Sequence, residues 1–289
     1  MATINVTYEP TAMPNALEQA DIAYAAAQWA ATLANALTIN VRVWAVDMTG
    51  TDLNAMCIPG IVQTLTRTLT RPQAKLSGDI ADPLDLAIDL VVVMDSMTPW
   101  VLGTLPVPVV PIGGYSLATT IMHELCHGLG FLGLCNVGVV AGVNAGIYSD
   151  ASTLIPTLTA IQGMMNPPVD LPYAGFIPVG LASGFAVVTP FAELFQYTAP
   201  PMALPKENPG NAWVAFLSAL GNISIQIDDQ PLPPILYSVY TSNPFQPFTT
   251  CDHISDPGCL MNPSTAGQYF AAPDLASKNI LRAIGWDIP

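Results

Sequence analysis

Hydrophobic and polar positions alternate with a period of two in several short segments near the start of the chain. Residues 3–8 and 38–48 follow this alternation, and the apolar run 87–94 has the length of one buried strand. Residues 60–70 fit either another helix or a further strand of the same sheet. The pattern therefore predicts a sheet built largely from the first third of the chain.

Helices are predicted near both ends of the chain. Asn15 and Glu18 form a capping-box pattern, which opens a helix that extends to about Leu37. Near the C-terminus a helix is predicted from about Pro273 to Ile284, followed by a glycine that stops it.

A further helix is predicted in the middle of the chain, after a proline-rich loop at 99–114. Ser116 is a suitable N-cap, and Gly130 stands where the helix stops. Apolar residues at helical spacing form one stripe: Leu117, Ile121, Leu125 and Leu129. From there to about residue 250 the chain is rich in glycine and proline and predicts short strands and loops. The order of elements indicates an α+β fold, with a twisted sheet backed by two helices.

Composition narrows the class of protein. Of the 289 residues, 51% are hydrophobic and only 10% are charged, which excludes extensive disorder. The formal net charge of −14 argues against nucleic-acid binding. Prolines and glycines interrupt the uncharged segments 97–122 and 125–149, so no membrane span is predicted. So much neutral surface fits either a homo-oligomer or an adaptation to harsh extracellular conditions.

Candidate chemistry is concentrated in the histidines, because the chain has only three: His123, His127 and His253. His123 and His127 lie on one face of the predicted helix, where both can bind the same metal ion. Glu124 borders that face and can reach a water on the metal without being a ligand. The spacing therefore predicts a metal site with Glu124 as general base.

The motif His123-Glu124-x-x-His127-x-x-Gly130 resembles the zinc-binding signature of the metzincin proteases. The commonest metzincins carry their third ligand three residues after that glycine. This chain has Gly133 there, so the short pattern is not met.

The leishmanolysin-like branch of the family has a distant third histidine, followed by a methionine turn. His253 and the later segment Leu260-Met261-Asn262-Pro263 are similar to that arrangement. The C-terminal segment 280–286 resembles the ending of bacterial secreted members. One feature departs from some metzincins, since Pro263 stands where they carry a tyrosine that assists the transition state.

The resemblance implies a fold and a site. It implies a two-lobed catalytic domain, with the sheet and the zinc-binding helix in residues 1–130. The third ligand, the methionine turn and the final helix would lie in an irregular lobe, 131–289. The implied site has zinc as cofactor on His123, His127 and His253, Glu124 as base, and Met261 as an apolar floor beneath the metal.

Other acidic residues remain alternatives for the third ligand. Glu193 and Glu207 follow the motif, but neither lies in the second glutamate motif of gluzincin proteases. Asp252 and Asp256 lie close to His253 and share its loop.

Cysteines bracket the same loop. Cys251 and Cys259 flank His253, and a disulfide between them would fix the loop that delivers the third ligand. Cys126 and Cys135 are a second candidate pair, and Cys57 would then have no disulfide partner. The alternative is that these are buried free thiols, since the chain has five cysteines and the odd number weakens a full pairing.

The expected function is that of a zinc metalloendopeptidase acting on protein or peptide substrates. An extracellular location is expected from the resemblance; the first residues carry no signal peptide, so a cytoplasmic location is the alternative. Two other functions stay open: a structural or assembly subunit with a stabilising zinc, and a zinc hydrolase of non-peptide substrates.

Overall fold

A computed structural model of the chain describes residues 1–51, 53–63, 68–80, 88–104, 107–132, 135–140, 143–148, 190–193, 195–197, 223–227, 235–240 and 252–289. Its elements, in chain order, are β1 (Thr3–Tyr8), α1 (Ala16–Thr32), β2 (Thr38–Val46), β3 (Ala55–Pro59), β4 (Ile61–Gln63), β5 (Thr68–Thr70), α2 (Arg71–Ser77), β6 (Leu90–Asp95), α3 (Leu117–Gly128), β7 (Cys135–Val140), β8 (Val143–Tyr148), α4 (Pro190–Glu193), β9 (Phe195–Tyr197), β10 (Ile223–Ile227), β11 (Ile235–Ser238) and α5 (Leu275–Ala283). The mixture of helices and strands agrees with the predicted α+β class.

The main sheet has four strands in the order β1-β2-β6-β3. β1 and β6 both run parallel to β2, whereas β3 runs antiparallel to β6. Among the strands that the structure describes, β3 is therefore an edge strand of this sheet, with β6 as its hydrogen-bonded neighbour on one side. Smaller sheets pair β4 with β5, β7 with β8, and β10 with both β9 and β11.

Both faces of β6 are buried, and alternate residues of this central strand point to opposite sides of the sheet. On β6, Leu90, Val92 and Met94 join the main hydrophobic core. Val91 and Val93 point to the other face and join a second cluster, which includes Trp44. This explains why the strand is a continuous apolar run in the sequence.

Helices α1 and α3 pack against each other over one face of the sheet. Trp29 of α1 is completely buried, and its indole Nε1 donates to the carbonyl oxygen of Met122 on α3 at 2.8 Å. The C-terminal residues complete the same core, since Met261, Ile280 and Trp286 belong to it. The predicted boundary between lobes at residue 130 stays a prediction.

Several predicted elements are confirmed with small changes at their ends. The first helix ends at Thr32 and not at Leu37. The residues that follow form backbone hydrogen bonds with distant parts of the chain. Ala2 N–H donates to the carbonyl oxygen of Leu33 at 3.0 Å, and Ala34 N–H donates to that of Asp287 at 2.8 Å. The final helix begins after its N-cap Asp274.

The described residues of segment 60–70 are not helical. They form the antiparallel pair β4 and β5, which does not extend the main sheet. The short helix α2, which follows directly, was not predicted, although Thr70 and Gln73 form a capping box at its start. Among the residues that the structure describes, no helix is long and apolar enough to span a membrane.

Candidate metal centre

Helix α3 carries two of the histidines. It begins after Ser116, whose side-chain oxygen accepts a hydrogen bond from Thr119 N–H at 3.4 Å, and all of its residues are buried. Such burial on every side is typical of a helix in the middle of a core. His123 and His127 therefore lie on a helix whose position is fixed by packing.

The structure brings the three histidines together. The Nε2 atom of His123 lies 3.1 Å from that of His127 and 3.1 Å from that of His253. The Nε2 atoms of His127 and His253 are 3.3 Å apart. All three side chains are buried, with 6 to 7% of their surface exposed.

This triangle has the dimensions of a metal site. Nitrogen ligands about 2.0–2.1 Å from a tetrahedral zinc ion are separated by about 3.3–3.4 Å from one another. The observed separations of 3.1–3.3 Å are close to that spacing. The buried group of His123, His127 and His253 can therefore hold a metal ion.

The other ring nitrogens set the orientation of two imidazoles. His123 Nδ1 lies 2.7 Å from the carbonyl oxygen of Leu260, and His127 Nδ1 lies 2.7 Å from that of Phe131. A carbonyl oxygen can only accept, so each Nδ1 carries the proton. Each Nε2 then presents a lone pair to a metal ion.

Burial also favours the neutral form that a ligand needs. It lowers the pKa of His123 to about 4, against a smaller opposing effect of the hydrogen bond to Leu260. Burial, and then the neighbouring His123, lower the pKa of His127 to about 3. Both imidazoles are therefore neutral at physiological pH, as metal binding requires.

Glu124 lies beside the histidine group. Its side chain is buried and lines the same cavity as the three imidazoles. Burial raises the pKa of Glu124 to about 8, and the backbone N–H of Cys57, which donates to its carboxylate, opposes this rise. A cation bound to the histidines would lower this pKa again, because a nearby positive charge favours the carboxylate.

Backbone hydrogen bonds hold the loop of His253 beside helix α3. The next residue, Ile254, donates from N–H to the carbonyl oxygen of Met261 at 2.7 Å, and Tyr240 N–H donates to the carbonyl oxygen of His253 at 2.8 Å. The side chain of Asn262 donates to the carbonyl oxygen of Ile254 at 3.3 Å. The turn around Met261 thus holds the third histidine, and Met261 itself is completely buried in the core.

The predicted disulfides are not formed at the cysteines that the structure describes. Cys259 is a buried free thiol, and it donates to the carboxylate of Asp274. Its predicted partner Cys251 lies outside the described residues. Cys126 is also a buried free thiol, so it does not pair with Cys135, and Cys57 is a free thiol that lines the cavity.

The alternative third ligands that the structure describes, Asp252 and Asp256, do not belong to this group. Asp252 lines the cavity but is not part of the three-histidine group, and Asp256 is exposed. Glu193 belongs to α4, but its side chain is outside the description, as is the whole of Glu207. Within the part of the chain described here, the histidines alone form the group.

A cavity of about 240 Å³ opens beside the histidines and Glu124. Edge strand β3 forms one wall, and Tyr115 and Thr120 lie near the start of α3. The remaining wall includes four consecutive residues after the methionine: Asn262, Pro263, Ser264 and Thr265. No local motif in the sequence marks Tyr115, Thr120 or β3 as cavity residues, because this wall forms only through tertiary packing.

Gly130 forms the turn that follows helix α3. Its φ of +113° is a conformation that favours glycine, and a Cβ atom there would lie 2.4 Å from the side-chain amide of Gln73. The turn lets the carbonyl oxygen of Phe131 reach His127. The predicted role of Gly130 as the stop of the helix thus has a second consequence for the site.

Three buried imidazoles, a buried carboxyl group and strand β3 are the features that define this site. Its possible chemistry follows from their geometry. Comparisons of the chain with protein-family models, with curated proteins and with solved structures give no match.

Proposed function

We propose that the protein is a zinc-dependent metalloendopeptidase of the metzincin type, with Glu124 as general base. One observation carries the proposal: three imidazole Nε2 atoms meet within 3.1–3.3 Å of one another, and a buried carboxyl group lines the cavity beside them. Three neutral nitrogen ligands are a common set for a catalytic zinc ion, which keeps a further position open.

Each residue of the site would have a distinct role in hydrolysis of a peptide bond. When bound, zinc would polarise the scissile carbonyl and acidify a water molecule. His123 and His127 would hold the ion with their orientations fixed by the carbonyl oxygens of Leu260 and Phe131. Glu124 would take a proton from the attacking water and deliver it to the leaving amine.

The edge strand supports a peptide as the substrate. Within the described part of the chain β3 pairs with β6 alone, so its other side would offer backbone donors and acceptors to an extended peptide. Cys57 lies on this strand and its N–H donates to Glu124, so the free edge borders the proposed base. A peptide added to β3 would place its backbone beside the carboxyl group and the histidines.

The structural alternative also has an observation in its favour. Val107, Val109 and Ile112 lie on the loop before α3 and are 60 to 104% exposed, as residues of a contact surface would be. A subunit of this kind would use a metal for stability and would have no need of a general base. The two functions therefore differ in what Glu124 does.

The deciding experiment compares wild type with Glu124→Gln at matched zinc content. Peptide cleavage by the variant should fall by about 10²- to 10⁴-fold while zinc content and fold stay unchanged, because the glutamine amide cannot accept the proton. Glu9→Gln is the matched control and should cleave at the wild-type rate, because Glu9 directly follows β1, pairs with Arg42 and does not line the cavity.

Two outcomes would contradict the proposal. Equal cleavage by wild type and Glu124→Gln would show that this carboxyl group is not the base. Zinc-loaded wild type that cleaves nothing in a broad peptide library would favour the structural alternative or a non-peptide substrate.

A further inference from the structure

Asp274 has two tasks that its sequence position does not reveal. As the N-cap of α5 it accepts a hydrogen bond from Ser277 N–H on Oδ1 at 2.8 Å. Its second oxygen, Oδ2, accepts from the backbone N–H of Leu260 at 2.9 Å. The thiol of Cys259 donates to the same carboxylate. One half-buried side chain thus joins the C-terminal helix to the turn that contains Met261.

Leu260 is held from both ends by these bonds. Its N–H donates to Asp274, and its carbonyl oxygen accepts from His123 Nδ1 at 2.7 Å. The position of that carbonyl oxygen determines where the His123 ring lies, because a hydrogen bond of this length constrains both the distance and the plane of the imidazole. Asp274 is therefore connected to His123 of the candidate metal centre through a single intervening residue, Leu260.

The same turn also holds the third histidine. The carbonyl oxygen of Met261 accepts from Ile254 N–H at 2.7 Å, and Ile254 follows His253 directly. A shift of Leu260 would move Met261, its neighbour in sequence, and with it the loop of His253. Two of the three imidazoles consequently depend on a turn that Asp274 fixes.

We infer that Asp274 is a positioning residue of the metal centre, acting through Leu260 on His123 and through the same turn on His253. The inference rests on the metal site of the proposed function and adds a residue outside the motif to it. Removing a partner that orients a metal ligand typically lowers metal affinity by about 10- to 100-fold. Substitution of Asp274 should lower metal affinity by an amount near the lower end of this range, because Asp274 acts on His123 through the backbone of Leu260.

Two variants separate this role from helix capping. Asp274→Asn and Asp274→Ser both keep a side chain that caps helices well. Asparagine replaces one of the two acceptor oxygens by a donor, and serine is too short to reach Leu260 while it caps. Asn15→Ala is the matched control, because it removes the N-cap of α1, where Asn15 accepts from Leu17 and Glu18 N–H, away from the cavity.

The first measurement is the affinity of the whole chain for zinc, by competition with a chromophoric chelator, and the absorption of the cobalt(II) form. Both Asp274 variants should bind zinc about 10-fold more weakly than wild type and show an altered cobalt spectrum. Asn15→Ala should lose about 1 kcal/mol of stability and keep the wild-type affinity and spectrum.

The second measurement needs no metal. In the metal-free protein the ring N–H of His123 should give a slowly exchanging NMR signal, because it is buried and donates to Leu260. This signal should exchange faster in both Asp274 variants than in Asn15→Ala. Only three histidines contribute ring signals, so the assignment is direct.

Each remaining outcome has one meaning. Asp274 would be a helix cap and not a positioning residue if both variants kept the wild-type zinc affinity and the wild-type His123 signal. In that case they would lose only stability, as Asn15→Ala does. Failure of both variants to fold would equally overturn a role confined to positioning. Wild type that binds zinc but cleaves no peptide would remove the protease proposal and leave this inference intact, whereas wild type that binds no zinc would overturn both.

Discussion

Trp286 donates from its indole Nε1 to the carbonyl oxygen of Leu129, 2.7 Å away, and so joins the C-terminus to the end of the histidine helix. Leu129 is the C-cap of α3, where the last carbonyl groups have no partner within the helix. Trp29 makes the corresponding bond to Met122 from α1. The helix that carries His123 and His127 is thus held by one tryptophan from each end of the sequence.

Trp286→Phe should lower the free energy of unfolding by about 1–3 kcal/mol, because the buried oxygen of Leu129 would lose its donor. Urea unfolding followed by circular dichroism measures this. Trp100→Phe is the matched control: its indole Nε1 donates to the carbonyl oxygen of Asp95 at 2.9 Å, but the bond is only partly buried. An equal loss in both variants would show that burial of the Leu129 oxygen does not matter.

His253→Ala should lose most of the bound zinc, since one of the three ligands disappears and the other two lie on one helical turn. The measurement is zinc per chain after gel filtration. Asp256→Asn, in the same loop but exposed, should keep the metal. Undiminished zinc in His253→Ala, or its loss in Asp256→Asn, would show that the ligand set is different.

Gly130→Ala should destabilise the fold for two reasons that a control can separate. Gly285 has nearly the same backbone conformation, with φ of +111° against +113°, but a Cβ atom there meets nothing within 4 Å. Gly285→Ala should therefore cost only the conformational strain, about 1–3 kcal/mol. Gly130→Ala should cost about 1–3 kcal/mol more through the clash with Gln73.

The clash has its own test in a double variant. Gln73→Ala should remove most of the additional cost of Gly130→Ala, although Gln73→Ala alone loses the capping box of α2. A double-variant cycle measured by urea unfolding gives the coupling. No coupling between the two positions would mean that the chain relieves the clash in another way.

The cysteines give a simple chemical prediction. Cys259 is a free thiol hydrogen-bonded to Asp274, and burial followed by that carboxylate raises its pKa. In the native protein it should resist alkylation, because the thiolate is the reactive form. After unfolding without reductant, mass spectrometry should find Cys259 alkylated. A peptide that links Cys259 to Cys251 would instead restore the disulfide predicted from the sequence.

Local patterns predicted the parts of the fold that depend on neighbours in sequence. The spacing of His123 and His127, the cap at Ser116 and the final helix are all of this kind, since helix periodicity and capping act within a few residues. The helix end at Thr32 has no such local mark, and the chain just after it bonds to a distant residue, since Ala34 N–H donates to the carbonyl oxygen of Asp287.

The candidate site was predictable only in its side chains. His253 was singled out because the chain has so few histidines. The carbonyl oxygens of Leu260 and Phe131, which orient two imidazoles, leave no mark in the sequence, since every residue carries such a group. Edge strand β3 was missed for a related reason: its position beside the helix arises from strand order, not from composition.

The histidines that meet at the site are far apart along the chain, since His253 follows His127 by 126 positions. A metal ion bound to both would act as a cross-link that closes this long loop. Closing a loop of roughly 100 residues costs an unfolded chain about 4–5 kcal/mol in entropy, and the folded chain has already brought its two ends together. A chelator would therefore act on the folding equilibrium of the whole molecule as well as on its chemistry, and metal-depleted protein should unfold at a lower temperature.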